Sequence, residues 1–347
     1  MNRILMCACG IVVLFTACTD RGAPRNPKLV VVSYGGGSYQ QSQIEAFERP
    51  FSSSHHVDVE PVVWGAEYGK LEEMVESGNV PWDVVEVTAA QFVRGRGSLF
   101  QPLTRTIPIS SFDPIDKTSA PDHFGVPNVY WSTVLGYKKS AFLKEQPAGW
   151  RDFWDVKRFP GPRALYDNPR ATLEFALLSS GVQPNRLYPL DVDRAFALLD
   201  NIRPYVRLWW TDGTQPVSAM LTGTVVMSPA WSGRLYASQQ AGQEIGYTWN
   251  GAANELDYWI IPKGSKNVSL ANDFIVFASD PDAMAKQATL TAYGPANKLA
   301  VLRVPGHIRL ELPTDPQNWA VSFIIDSDWW SKNEVAVTER WLRWKSK

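Results

Sequence analysis

Cysteine and histidine are scarce in this 347-residue chain, and their scarcity excludes several classes of protein. The three cysteines, Cys7, Cys9 and Cys18, all lie near the N-terminus, so the rest of the chain has no pair for a disulfide and no thiolate cluster for zinc or iron–sulfur. The four histidines form no His-Glu-x-x-His motif. We therefore expect neither a metal nor another cofactor.

An excess of charge is also missing. The 34 basic and 35 acidic residues leave a formal net charge of −1, which gives no general attraction for nucleic acid or acidic membranes. Hydrophobic residues make up 45% of the chain and charged residues 20%, as in a folded soluble protein. The composition predicts one large or two medium domains that do not bind nucleic acid.

The apolar run at residues 4–15 is too short to span a membrane comfortably, and it follows the positively charged start Met1-Asn2-Arg3. This pattern predicts a signal peptide over residues 1–17. The run ends in FTACTD, which resembles a bacterial lipoprotein processing site, although Phe15 stands where that pattern prefers Leu. The resemblance implies cleavage before Cys18, lipid on its thiol, and a polar tether over residues 18–27. Ordinary secretory cleavage nearby is the alternative.

A triple glycine follows the first predicted strand, in KLVVVSYGGGSYQQSQIEAF at residues 28–47. The turn lacks the Gly-Lys-Ser/Thr ending of a P-loop, and Gln40 stands where G-x-G-x-x-G requires glycine. Glycines give the backbone freedom for a tight turn, and amides at a helix N-terminus also favour a polar or anionic group. A turn alone and a turn that contacts a ligand both remain open.

Strands and helices alternate along the chain, which predicts an α/β fold. The segments KLVVVSY, VDVEPVVW and WDVVEVT predict strands separated by helices at about residues 38–51 and 66–77. A second α/β unit begins near Trp150, and the tail from Val268 is mostly helical in pattern. The chain has no G-x-S-x-G elbow and no S-x-x-K pairing, so nothing in it requires an enzyme.

Nine segments, in order over nearly all of residues 30–297, resemble the extracellular solute-binding proteins of bacterial ABC transporters, most of all the spermidine/putrescine-binding group. They include SYGGGSYQQSQIEAFERPF, GVPNVYWSTVLGY, PRATLEFALL, MSPAWSGRL, DYWIIPKGSKN and AYGPAN. The resemblance implies a type II periplasmic-binding-protein fold, with two α/β lobes joined by extended crossover strands and the ligand in the cleft between them. It suggests lobe 1 at residues 28–128 and 265–347 and lobe 2 at residues 129–264.

The resemblance also implies a function. Such a receptor captures a small amine-bearing solute, such as putrescine, spermidine or an ω-amino acid, by hinge closure, and delivers it to ABC permease subunits. It would be a monomer without enzymatic activity, in the periplasm or at the outer face of the cell membrane, anchored through the lipid on Cys18. A sugar, an opine or ferric iron in the same fold is one alternative, and an exported α/β hydrolase is another.

The ligand residues implied by matched motifs are two aromatic and two acidic side chains. Trp231 would lie against the alkyl chain of the ligand, Asp257 and Asp167 would bind an amine, and Tyr293 would add an aromatic contact. Core packing is the alternative for the two aromatics, a solvent-exposed turn for Asp257, and helix capping for Asp167. Placement around the glycine turn and the third strand adds four residues: Tyr34, Ser38, Tyr39 and Glu86.

Three features depart from the polyamine-binding pattern, and the first is the Gly35–Gly37 turn with Tyr34 and Tyr39, which replaces a Trp and Tyr pair after the first strand. Ala171 stands where that group has a glutamate that grips an amine, and Glu255 stands where it has an aromatic residue. With these departures, a smaller cationic or zwitterionic amine fits the sequence as a ligand as well as spermidine does. For a zwitterion, Arg234 and the amides of the glycine turn could receive the carboxylate, while Asp257 or Asp167 binds the amine.

Overall fold

The computed structural model describes residues 26–34, 37–65, 67–107, 111–112 and 123–347. The predicted signal peptide, Cys18 and its lipidation, most of the tether, and Gly35–Gly36 of the glycine turn lie outside this part of the chain. Among the described residues, no helix is both long enough and apolar enough to cross a membrane.

The strands of the described chain belong to one curled sheet. Their bounds are β1 Lys28–Tyr34, β2 Asp58–Trp64, β3 Val84–Thr88, β4 Gly125–Lys138, β5 Arg163–Tyr166, β6 Val206–Trp210, β7 Met227–Trp231, β8 Ile245–Ile260, β9 Gly294–Pro295 and β10 Phe323–Ile324. The order across the sheet is β2-β1-β3-β8-β4-β7-β5-β6, while β9 pairs with β4 and β10 with β8. β2 is an edge strand and therefore accommodates Pro61, which has no N–H to donate.

The long strands β4 and β8 occupy the centre of the sheet and run antiparallel to each other. They have 14 and 16 residues, are rich in β-branched and aromatic side chains, and are buried along most of their length. On one side β8 pairs with β3 of the parallel set β1–β3, and on the other β4 pairs with β7 of the set β5–β7. They therefore run from one α/β unit into the other, as the predicted crossover strands should.

Helices cover both parallel sets. Their bounds are α1 Gly37–Gln43, α2 Arg49–His55, α3 Tyr68–Ser77, α4 Ala89–Gly95, α5 Trp150–Trp154, α6 Pro169–Ser179, α7 Val192–Ile202, α8 Gln215–Thr222, α9 Ser232–Gln240, α10 Val268–Ala278, α11 Pro281–Thr291, α12 Lys298–Val301, α13 Gly306–Arg309, α14 Pro316–Ala320 and α15 Ser327–Lys345. A π-helical segment, Ile44–Glu48, joins α1 to α2, so the predicted helix at about residues 38–51 forms with an irregular middle.

Two large hydrophobic cores match the two α/β units. The first packs strands β1 and β3 against α2, α10 and α11, with Val85, Phe51 and Phe274 among its fully buried residues. The second packs the helices α6 and α7 around Leu165 and Phe175. Each unit thus buries its own apolar surface.

The C-terminal helix α15 packs in the second core. Its buried Trp330, Trp341 and Trp344 follow one face of the helix and belong to that core. The indole N–H of Trp344 donates to Asp200 of α7 over 2.7 Å, which also fixes the helix there. The predicted boundaries, which stay a prediction, place residues 265–347 with lobe 1; this helix packs against α4, which follows β3, and also against α6. The sequence pattern of α15 gives its buried face but not the lobe that it covers.

Replacing Trp341 by alanine should lower the free energy of unfolding by about 3–5 kcal/mol, because it empties a fully buried aromatic site. Urea denaturation of the chain from residue 26 measures the loss. The matched control is Leu342→Ala on the solvent-exposed side of the same helix, where the side chain is 63% exposed and the cost should stay within about 0.5 kcal/mol. Equal costs for the two variants would contradict the packing of α15.

Candidate functional site

A cavity of about 560 Å³ lies between the two α/β units, beyond the carboxyl ends of their parallel strands. Tyr34, Trp64 and Thr88 end β1, β2 and β3, and Tyr166 and Trp231 end β5 and β7. The crossover strands supply the floor through Trp131 and Asp257. Ligands in open α/β sheets bind at such strand ends, since backbone direction and turns bring side chains together there. The same rule guided the sequence-based choice of site.

Five of the predicted residues line this cavity, namely Tyr34, Tyr39, Trp231, Asp257 and Tyr293. Ser38, Glu86 and Asp167 do not, and each has a different partner. Their individual contacts explain what they do instead. Ligand contact by the five that line the cavity stays a prediction.

Tryptophans form one wall of the cavity. The Trp231 ring meets Trp131 edge-on at 6.1 Å and the buried Trp210 at 5.7 Å between centroids. Trp231 therefore packs against the core on one side and lines the cavity on the other, so both of its predicted roles fit. The indole N–H groups of Trp131 and Trp231 are buried without a hydrogen-bond partner among the described residues. Such donors suit a polar group of a ligand.

Tyrosines form the opposite wall. Tyr39 and Tyr293 lie 5.7 Å apart between ring centroids, and Tyr34 stacks on Trp64. Burial raises the pKa of Tyr293 to about 12, with Arg234 opposing the rise and Asp257 adding to it. Tyr293 therefore keeps its proton at neutral pH and can donate a hydrogen bond. Its pKa responds to both a cation and a carboxylate, so the Arg234 and Asp257 charges both lie close to its hydroxyl.

Asp257 is a buried acidic side chain of the cavity, and no cation of the described residues is bound to it. It is 2% exposed, and its Oδ1 accepts no hydrogen bond from any described residue. Burial raises its pKa well above the ordinary value, and the nearby Glu86 carboxylate raises it further. The Trp131 indole lies near enough to lower that pKa, but the two groups do not form a hydrogen bond. A buried carboxylate in this state is stabilised by an incoming cation.

Glu86 lies behind the tyrosine wall and holds Tyr39 in place. The Tyr39 hydroxyl donates to Glu86 Oε1 over 2.6 Å, and the side-chain amides of Gln43 and Asn128 donate to its two oxygens over 2.9 and 2.6 Å. Burial raises the pKa of Glu86, and these three hydrogen bonds oppose the rise. The prediction placed Glu86 at the ligand because it lies near the end of β3. In the structure its side chain instead orients a residue that lines the cavity.

Ser38 lies at the mouth of the cavity and is exposed. Its Oγ accepts a hydrogen bond from Arg234 Nη1 over 3.1 Å, so α1 of lobe 1 meets α9 of lobe 2 here. Gly37 has φ +65°, and a Cβ atom on it would lie 3.1 Å from the same guanidinium nitrogen. On the α9 side, a Cβ on Gly233 would lie 2.5 Å from the carbonyl oxygen of Thr291. Glycines thus allow the two lobes to touch at the mouth.

Asp167 contacts α15 and is not among the residues that line the cavity, and its contact with an amine stays a prediction. The Trp341 indole N–H donates to Oδ1 over 3.0 Å, and Lys345 Nζ lies 3.2 Å from Oδ2. The neighbouring Asn168 lines the cavity and also caps α6, accepting from the backbone N–H of Arg170. The sequence alone could not predict that Asn168 lines the cavity while Asp167 does not. The position of Asp167 depends on two residues of α15 that lie more than 170 positions away.

Arg170 is a cavity residue that the sequence-based set missed. Its side chain is 11% exposed, and its Nη1 lies 3.2 Å from Glu255 Oε2 and 3.4 Å from Thr88 Oγ1. Its Nη2 donates to Glu334 of α15. Burial lowers the pKa of Arg170, but these two carboxylates outweigh burial and hold the pKa above the ordinary value. Arg170 is therefore charged, and it connects lobe 2 with β8, α15 and the end of β3.

The backbone around Arg170 is not helical, although α6 formally begins at Pro169. Arg170 has an extended ψ of 137°, and Ala171, which also lines the cavity, has φ +65°. A non-glycine residue in the left-handed region costs on the order of 1 kcal/mol, so the packing must hold this turn in place. The sequence PRATLEF is typical of a continuous helix start, so it predicts neither the turn nor the position of Arg170.

The arrangement favours binding of a charged small molecule over catalysis. The cavity combines aromatic faces with the buried Asp257 carboxylate, whose Oδ1 has no hydrogen-bond partner among the described residues, and with Arg234. Among the described residues, no group of three or more His, Cys, Asp or Glu side chains could hold a metal ion. Aromatic faces next to a carboxylate are well suited to an ammonium group and the methylenes attached to it.

Comparison with known proteins agrees with this geometry. A model of the bacterial extracellular solute-binding protein family matches residues 44–309. The γ-aminobutyric acid-binding protein of Pseudomonas aeruginosa strain PAO1 is 35% identical over 330 residues, which are 93% of this chain and 92% of that protein. The spermidine/putrescine-binding periplasmic protein of Escherichia coli K12 is 27% identical over 200 residues, 56% of each chain.

Among solved structures, the Atu4243-GABA receptor superposes with a TM-score of 0.83 and 31% identity, and the match covers 92% of this chain and 98% of that one. The predicted two-lobe periplasmic-binding-protein fold is therefore confirmed, as is the resemblance to the polyamine-binding group. Proteins of this family are solute-binding receptors that work with transporter permeases, and they are not enzymes. On the family match and the aligned relatives, the chain belongs to the bacterial extracellular solute-binding proteins of ABC transporters.

Proposed function

We propose that this protein is the solute receptor of an ABC importer and captures a small amine-bearing solute, with an ω-amino acid such as γ-aminobutyrate as the best fit. The observation that carries the proposal is Asp257, a buried carboxylate whose Oδ1 has no hydrogen-bond partner, in an aromatic cavity between the lobes. The names of the Pseudomonas relative and the Atu4243 receptor support the same ligand class.

The amine end of the solute would bind Asp257. An ammonium there compensates the buried charge, and the faces of Trp131 and Trp231 cover the first methylenes. A neutral sugar would leave the carboxylate without a cation, which is the costly state. A ferric ion would need several hard ligands together, and the described residues contain no such group. These points favour an amine over the sugar and iron alternatives.

The other end of an ω-amino acid would bind Arg234. Arg234 and Asp257 both line the cavity, and both charges act on the pKa of Tyr293, so the site contains a cation as well as a carboxylate. An arginine fork matches a carboxylate in shape and charge. A solute that carries both an ammonium and a carboxylate therefore uses both protein charges, whereas a simple amine uses only one.

Binding would proceed by closure of the two lobes around the solute. The hydrogen bond from Arg234 to Ser38 joins the lobes at the cavity mouth, so a carboxylate bound to Arg234 would favour the closed arrangement. The closed receptor would then deliver the solute to the permease. The lipid anchor on Cys18 and the monomeric state remain predictions for this receptor.

A thermal-shift screen tests the ligand class directly. γ-Aminobutyrate at about a hundred times its Kd should raise the Tm of the chain from residue 26 by roughly 4 °C, since a ligand that binds only the folded state stabilises it. Neutral sugars and ferric citrate, the other probes, should leave Tm unchanged. A rise with a sugar and none with any amine would overturn the proposal.

Asp257→Asn should weaken γ-aminobutyrate binding at least about 30-fold, because the amide cannot neutralise a buried ammonium. Isothermal titration calorimetry measures the change in Kd. Asp167→Asn is the matched control, since its side chain faces α15 and should leave Kd within about twofold. If Asp167→Asn loses binding while Asp257→Asn retains it, the amine site has been assigned to the wrong carboxylate.

Affinity for the amine should fall as the pH drops, because the pKa of Asp257 is raised in the free receptor and the proton competes with the ammonium. Glu86 and Glu255 also raise that pKa, and Arg170 lowers it. Binding should therefore release up to about one proton at a pH below the raised pKa of free Asp257. Titrations in two buffers with different heats of ionisation count the protons. Proton uptake on binding, or a Kd that does not change as the pH is lowered, would contradict this linkage.

A further inference from the structure

The cavity contains a second carboxylate that is already neutralised by the protein. Glu255 lies two residues before Asp257 on β8, so both side chains project from the same face of the strand. Their Cα atoms are about 6.5–7 Å apart at the usual rise of a strand. Two carboxylates at that spacing would suit the two ammonium groups of a four-carbon diamine, whose nitrogens lie about 6 Å apart when staggered and extended.

Arg170 takes the place of the second ammonium group. Its Nη1 lies 3.2 Å from Glu255 Oε2, while its Nη2 binds Glu334, and both carboxylates line the cavity. The guanidinium also lies over the Trp330 ring at 5.6 Å, which adds a cation–π contact behind it. With Arg170 in place, Glu255 is paired and Asp257 is not, although the two carboxylates lie side by side on one strand.

We infer that Arg170 is the residue that sets the selectivity of this site for solutes with one ammonium group, because it occupies Glu255 and so excludes diamines. The inference rests on the proposed function and deepens it. A diamine held at Asp257 can bring its second ammonium to Glu255 only by displacing Arg170 from two carboxylates. That displacement breaks two ion pairs to form one.

The turn at residues 168–171 explains how an arginine reaches this position. Arg170 has an extended ψ and the next residue has φ +65°, so the chain leaves the helical path before α6 is established. A regular helix from Pro169 would place the residue 170 side chain differently along the axis. The strained backbone of Ala171 therefore helps to place the Arg170 side chain. Ala171 also lies where the polyamine-binding pattern has a glutamate.

The test compares γ-aminobutyrate with 1,4-diaminobutane, two probes of equal chain length that differ only in one terminal group. Arg170→Gln frees Glu255 and should strengthen diaminobutane binding by about tenfold or more, measured as Kd by titration calorimetry. Arg170→Lys keeps a cation beside Glu255, so its gain should be much smaller. The double variant Arg170→Gln/Glu255→Gln removes both charges and should lose the gain.

The outcomes separate this inference from the proposed function. If the unsubstituted receptor binds γ-aminobutyrate and Arg170→Gln weakens it without any gain for diaminobutane, Arg170 is a carboxylate ligand and the inference fails. A gain that persists in the double variant also overturns the inference, because Glu255 is then not its cause. If the unsubstituted receptor binds neither probe, the proposed function fails first. Should Arg170→Gln not fold, two double variants make the same comparison. They are Arg170→Met/Glu255→Gln and Arg170→Met/Glu334→Gln. Only the second keeps Glu255 charged, so only the second should bind diaminobutane more tightly.

Discussion

The antiparallel pairing of β4 with β8 is the constraint on which the rest of the molecule depends. The two strands are paired along most of their length. On its other edge β8 pairs with β3, and β4 pairs with β7. Register in this pair places Asp257 opposite Val129 and Glu255 opposite Trp131. A slip of one residue would turn every one of these side chains to the other face. The pairing therefore fixes the joint between the lobes and the floor of the cavity together.

Charge in the cavity is arranged by the protein before any solute arrives. Buried acids are normally paired, and here Arg170 forms ion pairs with Glu255 of β8 and with Glu334 of α15. Asp257 is left without such a partner. An entering cation compensates this buried carboxylate, so part of the binding free energy comes from a charge that the empty receptor leaves unpaired.

Much of this structure could be predicted from the sequence, because the information was local. The strands around β1–β3, the crossover segment ending at Lys138 and the aromatic Tyr293 all follow from short motifs and their order along the chain. Contacts between distant segments could not be read in the same way. Asp167 was assigned to the ligand because its motif matched, and only the packed α15 shows that Trp341 binds it instead. Arg170 was overlooked for the same reason, since Glu334 is equally remote.

Gly233 shows that helix stability and packing make opposite demands at one position. It lies in the first turn of α9, and alanine is the better helix former. A methyl group there would collide with the carbonyl oxygen of Thr291, the last residue of α11. The helix alone would gain from the larger residue, and the contact between α9 and α11 would lose. The amino acid at this position is therefore set by a distant neighbour and not by the helix that contains it.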